Sequence, residues 1–154
     1  MSNKIFQIKY LSEQFYTDYP VDKFPEIEFK GDRPFVVFIV KIREHTFAIP
    51  FRTNIKHKYC YKFKKSGRDT DSTTGLDFTK AVVVDNEGYI GDDATVDKKE
   101  FNELNSRIIF IQKKFQTYLK NYLKFLNDEE DKFIAKKYKY TTLQYFHREL
   151  GIEQ

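Results

Sequence analysis

Residues 34–42 read PFVVFIVKI, a run apolar on both faces for most of its length and rich in β-branched side chains, as a central strand requires. Residues 46–51, TFAIPF, follow after Glu44-His45 with the length and composition of a hairpin partner, so the core is at least partly an antiparallel sheet. Upstream, residues 4–10 alternate weakly, and Leu11, Phe15 and Tyr19 then fall at helical spacing before Pro20, which predicts a strand and a short helix. Val21 to Asp32, with Pro25 and Gly31, reads as a surface connection. Downstream, SGRDTDSTTG at 66–75 is a polar loop, LDFTKAVVV at 76–84 a further strand, and YIG at 89–91 a short return after the Asn86-Glu87-Gly88 turn.

Asp97 can cap a helix beginning at Lys98. Its apolar stripe runs Phe101, Leu104, Ile108, Ile111, Phe115, Tyr118, Tyr122 and Phe125 in steps of three and four, with a candidate break at Asn105-Ser106. A coiled coil or a helix laid on a sheet needs such a stripe; the sheet is the preferred host. TTLQYFHREL at 141–150 reads as a last short helix with a Thr142 cap and Gly151 as its stop. With no repeat or linker, the expectation is an α+β fold: residues 1–154 as a single domain, a twisted antiparallel sheet flanked by helices.

At 154 residues one core can bury roughly 70% of the surface of the unfolded chain. The 16 Phe and 11 Tyr, without Trp, make it a core of flat rings. A lone cysteine, Cys60, excludes an internal disulfide and any cysteine-rich zinc pattern and suits a reducing cytosol. The first residues carry no secretory apolar run, and no span of about 18 uncharged apolar residues occurs. The expectation is therefore a cytoplasmic protein that does not enter membranes. A net charge of +4 and a pI near 8.9 say less than where the charge sits.

Residues 51–65, FRTNIKHKYCYKFKK, hold Arg52, Lys56, Lys58, Lys62, Lys64, Lys65 and His57 without a carboxylate. Tyr59, Tyr61 and Phe63 alternate with lysines, so a strand here turns rings one way and cations the other. Single-stranded RNA would use both, phosphates on Lys58, Lys62, Lys64 and Lys65 and bases on Tyr59 and Tyr61. The same pattern equally suits core rings with solubilising lysines. Arg52-Thr53-Asn54-Ile55-Lys56-His57 stands at the rim of a hydrophobic strand and holds the three kinds of group that metal-free RNA cleavage needs: a proton carrier, cations for the phosphate, and hydrogen-bond donors. A loop capped by its own Thr and Asn is the plainer reading of those residues. Rival chemistries find less. The three histidines lack zinc spacing, Asp128 to Asp131 reads as a helix N-terminus, Asp85 to Gly88 departs from a calcium loop, and Cys60 on a strand points away from His57. No cofactor and no metal is expected.

PFRTNIKHKYCYKF (50–63), GLDFTKAVVV (75–84) and DRPF (32–35) together resemble the ToxN/AbiQ superfamily of type III toxin-antitoxin ribonucleases, most closely its CptN subgroup, and the order of elements agrees over nearly the whole chain. The resemblance implies a fold related to Kid/MazF endoribonucleases. It also implies metal-independent RNA cleavage to a 2′,3′-cyclic phosphate and a 5′-hydroxyl, a bacterial cytoplasmic setting and a role in phage abortive infection. The partners it implies are cellular RNA and a pseudoknotted antitoxin RNA, which the toxin processes and which then fills the groove of a closed assembly with several copies of each. Residue by residue, the family's strand-end hydroxyl falls on Thr53, its active-site lysine on Lys56 and its second-strand basic residue on Arg33. The founding pattern has two hydroxyl residues and then Pro-Lys where this chain has Arg52-Thr53-Asn54-Ile55-Lys56-His57. Catalytic Thr53, Lys56, His57 and Arg52 are thus expected, with Arg33, Asn54, Thr79 and Lys80 among the RNA contacts. A non-catalytic RNA-binding module and a protein dimerising through the helix stripe are the alternatives.

Overall fold

The computed structural model describes residues 6–27, 35–64, 73–127, 138 and 141–152. Its order is β1 (Phe6–Leu11), α1 (Glu13–Asp18), β2 (Val36–Ile42), β3 (His45–Thr53), β4 (Cys60–Lys62), β5 (Thr74–Asp77), β6 (Val82–Val83), β7 (Ile90–Asp93), α2 (Lys98–Ser106) and α3 (Ile108–Asn127). Among the described residues the chain is α+β, with seven strands in one sheet ordered β4-β5-β3-β2-β1-β7, while β6 pairs with β3 beside β5. Every pairing is antiparallel.

The run at 36–42 is the predicted central strand, hydrogen-bonded on one side to β1 and on the other to β3. The hairpin turn is Arg43-Glu44, and His45 opens β3 opposite Ile42. The sequence reading had put His45 in the turn. Side chains alternate across the pleat, so Phe47, Ile49 and Phe51 occupy one face of β3 and Ala48, Pro50 and Arg52 the other. The first face takes α3: the Phe47 and Phe115 rings meet edge-on at 5.1 Å, and Phe78 lies 5.4 Å from Phe115. The apolar stripe is buried inside its own chain at Leu104, Ile111, Phe115, Tyr118 and Tyr122, as expected, but its predicted first member, Phe101, is exposed. The helix breaks at Arg107, whose N–H reaches the carbonyls of Glu103 and Leu104 to close α2.

Three sequence expectations are corrected. LDFTKAVVV is not one strand: a 3₁₀ turn at Phe78–Lys80 separates β5 from β6, because the Asp77 carboxylate accepts the Thr79 N–H and hydroxyl and bends the chain out of the ladder. Residues 142–145 form a 3₁₀ turn capped by Thr141, not Thr142. The Thr142 hydroxyl instead donates to the carbonyls of Thr79 and Ala81. Gly151, at φ 72°, does supply the left-handed residue beyond the last turn. Thr74 and Gly75, assigned to a loop, begin β5. Arg33, Lys65, most of the 66–75 loop and Asp128 to Asp131 lie outside the described residues. Among the described residues no helix is long and apolar enough to cross a membrane.

Candidate functional site

β3 ends at Thr53, and the chain must turn before it can return as β4. Asn54 makes that turn at φ 58°, a left-handed conformation that Asn tolerates better than most side chains. Ile55 then drops into the core, 6% exposed, while its N–H bonds the Thr73 carbonyl at 3.2 Å. His57, half-buried, turns in next. The residues between these anchors, Thr53, Asn54, Lys56 and Lys58, are exposed. The connection is therefore pinned at alternate positions, and its polar side chains stand in solvent at the rim of a rigid sheet.

The anchor for His57 is Asp77, 1% exposed and absent from the sequence expectations. Its Oδ2 accepts from Arg52 Nη1 at 2.9 Å. Oδ1 receives the Thr79 N–H at 3.0 Å and the Thr79 hydroxyl at 2.6 Å, and lies 3.2 Å from His57 Nε2. The Tyr59 N–H meets the other ring nitrogen, Nδ1, at 3.0 Å. An imidazole that accepts at Nδ1 carries its proton on Nε2, which lies 3.2 Å from the Asp77 carboxylate, so both nitrogens face a partner. A buried carboxylate needs such donors, because they replace the hydration it has lost. The one available sequence signal was its position, a charge between Leu76 and Phe78 in an otherwise apolar stretch.

The structure brings Arg52, His57 and Thr79 together on Asp77, with Lys56 exposed on the tethered connection. Thr79 is buried and serves Asp77 rather than bordering a groove. Lys80 and Arg52 line one cleft, with Phe35, Val37 and Pro50 among its apolar walls. Along β4, Lys62 pairs with Gly75, which pairs with Arg52, so the three lie in one row across the sheet. A methyl group at Gly75 would stand 2.2 Å from the Tyr61 carbonyl oxygen; β4 approaches β5 too closely there for any side chain.

The aromatic half of the basic strand is mostly core. Tyr61 is 4% exposed, and its hydroxyl donates to Glu103. This corrects the expectation that it stacks on a base. The strand's inner face must cover the start of α3, and Tyr61 meets Phe110 there. Tyr59 is half-buried, stacked at 5.9 Å on the His57 ring and 6.3 Å from Tyr118. Lys58, Lys62 and Lys64 are exposed as expected. Cys60 is buried, and its thiol donates to the His57 carbonyl at 3.4 Å. Burial pushes the thiol pKa up, which disfavours the thiolate that nucleophilic chemistry needs. Asp85, in the stretch weighed as a calcium loop, is committed to the Thr46 N–H at 2.8 Å and the His45 ring at 2.9 Å.

No protein-family model, no curated protein and no solved structure matches this chain.

Proposed function

We propose that the chain is a metal-independent endoribonuclease of the ToxN/AbiQ type, a bacterial toxin held in check by a pseudoknotted antitoxin RNA. The observation that supports this best is the convergence of Arg52, His57 and Thr79 on buried Asp77, which fixes the connection carrying Thr53, Asn54 and Lys56. Oriented cations and donors around a histidine suit attack of a ribose 2′-hydroxyl on the adjacent phosphorus. In this reading the 2′-oxygen bonds to phosphorus and the bond to the 5′-oxygen breaks. His57 Nδ1 takes the 2′-hydroxyl proton in exchange for the Tyr59 N–H, with Asp77 stabilising the imidazolium, and Lys56 delivers a proton to the departing oxygen. Thr53 and Asn54 orient the phosphate; Arg52, already bonded to Asp77, adds positive charge beside it. The products are a 2′,3′-cyclic phosphate and a 5′-hydroxyl. Occupation of the same cations by the antitoxin's processed end accounts for inhibition.

The engagement of both His57 nitrogens in the free protein favours one second reading, an RNA-binding module that does not cleave. Protein freed of RNA by denaturation, refolded, and incubated with mixed RNA in excess EDTA separates the two. New ends bearing cyclic phosphate and 5′-hydroxyl are expected, with Lys56→Ala reducing their formation at least a hundredfold. Intact RNA bound to well-folded protein supports the binding module, and undiminished cleavage by Lys56→Ala removes that lysine from the mechanism.

A further inference from the structure

A second cleft lies on the opposite side of the edge strand, where the end of β4 meets α2 and the start of α3. Lys64, Lys99, Asn102, Glu103 and Arg107 line it, and Tyr61 forms its wall. Three of these side chains are cations. The one carboxylate is occupied: Glu103 receives the Tyr61 hydroxyl and, through both oxygens, the Lys64 N–H at 2.9 and 3.1 Å. Burial and that bond hold the Tyr61 pKa up at about 12, so the hydroxyl stays a donor at neutral pH and Glu103 stays committed to tying β4 to α2.

Beside the cleft the surface turns apolar. The Arg107 guanidinium lies 4.3 Å over the ring of Phe110, which is 47% exposed, and neighbouring Ile109 is 56% exposed. Water around these side chains costs free energy that the fold does not recover by burying them. An Arg plane on an exposed ring, flanked by two lysines, presents flat surface for a base and positive charge for phosphates at one place. Three cations against one carboxylate favour a polyanion over a protein partner, whose match would be the apolar residues alone.

We propose that this cleft binds single-stranded RNA flanking the scissile phosphate, with Lys64, Lys99 and Arg107 on phosphates and a base against Arg107 and Phe110. The proposal rests on the ribonuclease reading and extends it. Lys64 is eight positions from Lys56 along the chain, a reach of at most about 29 Å, so one strand can touch both sites by rounding the β4 edge past Lys62. Lys99, Arg107 and Phe110 lie outside the basic strand and carried no functional reading from sequence.

The test uses full-length protein with Lys99→Ala and Arg107→Ala combined, and separately Phe110→Ala, each checked for an unchanged thermal midpoint or replaced by Lys99→Gln with Arg107→Gln if it fails to fold. The probes are random-sequence 2′-fluoro RNA pools of six and twenty nucleotides, which bind but lack the attacking hydroxyl. Expected is at least a tenfold loss of affinity for the twenty-mers, with the salt slope of the double variant falling by about 1.4, and little change for the six-mers. Equal affinity and slope for twenty-mers in wild type and variants would overturn it. So would wild-type protein that forms a dimer dispersed by Phe110→Ala while twenty-mer binding stays intact, since the apolar surface would then serve protein contact. Lys56→Ala cleaving normally would sink the catalytic assignment and leave the twenty-mer result standing, so the two failures are distinguishable.

Discussion

A carboxylate removed from water keeps its charge only while donors surround it, and Asp77 has an Arg52 guanidinium and both donors of Thr79, with the His57 ring 3.2 Å away. Removing the charge but not the shape, as in Asp77→Asn, leaves one acceptor oxygen where there were two, so Arg52 and the Thr79–His57 side cannot both keep an acceptor. We expect destabilisation of about 3 kcal/mol in urea unfolding and a loss of cleavage near a hundredfold, with the acidic limb of the pH–rate profile displaced. Loss of stability with a normal rate and profile would make Asp77 purely structural. That Arg52 to His57 stand as a polar stretch at the end of a hydrophobic strand was legible from sequence, since the apolar residues of that strand stop at Phe51. Asp77 was not, because its meaning depends on Arg52, 25 residues earlier, and on His57, which the pairing of β5 with both β3 and β4 brings near. The rings at 59, 61 and 63 were ambiguous for a related reason: alternation states that two faces differ and is silent on which one meets a helix. α3 decides that, and it lies 45 residues further on.

At the level of elements, the strands whose character rests on continuous hydrophobicity, β2 and β3, were readable, as was the amphipathic pair of helices. What escaped were the places where a side chain competes with the backbone ladder. Asp77 ends β5 by accepting from Thr79, and Thr141 and Thr142 hold the last described segment as a tight turn against β6 where the Thr cap and Gly151 stop pointed to a helix. The thin edge strand β4 depends on an element-level coincidence, a glycine opposite Tyr61 and Lys62. Gly75→Ala would drive a methyl group into the Tyr61 carbonyl, where the nearest atoms are all β4 backbone and no flexible tip can yield. We expect a loss of about 2 kcal/mol together with faster amide exchange at Tyr61 and Phe63, whose N–H bonds the Thr74 carbonyl. Unchanged protection at those amides would show that β4 holds its place without the close approach.

The molecule as a whole is closed by rings that link its two ends: Phe15 stacks on Tyr19 at 5.0 Å, and Tyr19 meets Phe146 at 5.2 Å. Next to Phe146, His147 Nε2 lies 2.5 Å from the Tyr122 hydroxyl of α3. Burial holds the His147 pKa below its ordinary value and raises that of Tyr122 to about 12, so the phenol donates to a neutral imidazole. The folded chain binds this proton less readily than the unfolded chain. Its contribution to stability is therefore complete above the unfolded pKa of about 6.5 and is lost as pH falls through the lower folded value. Thermal midpoints should drop on going from pH 7.5 to 5, and by less in His147→Gln; an identical drop in both proteins would assign the acid sensitivity elsewhere.

The Thr142 hydroxyl that donates to the Thr79 and Ala81 carbonyls has a consequence in time rather than in space. The chain is made from its N-terminal side, and the turn that places Asp77 lacks this clasp, and the packing of the 142–145 turn against it, until those residues have been made. In the reading proposed above, a nascent chain that lacks those residues carries the candidate site without the clasp that holds its Asp77 turn.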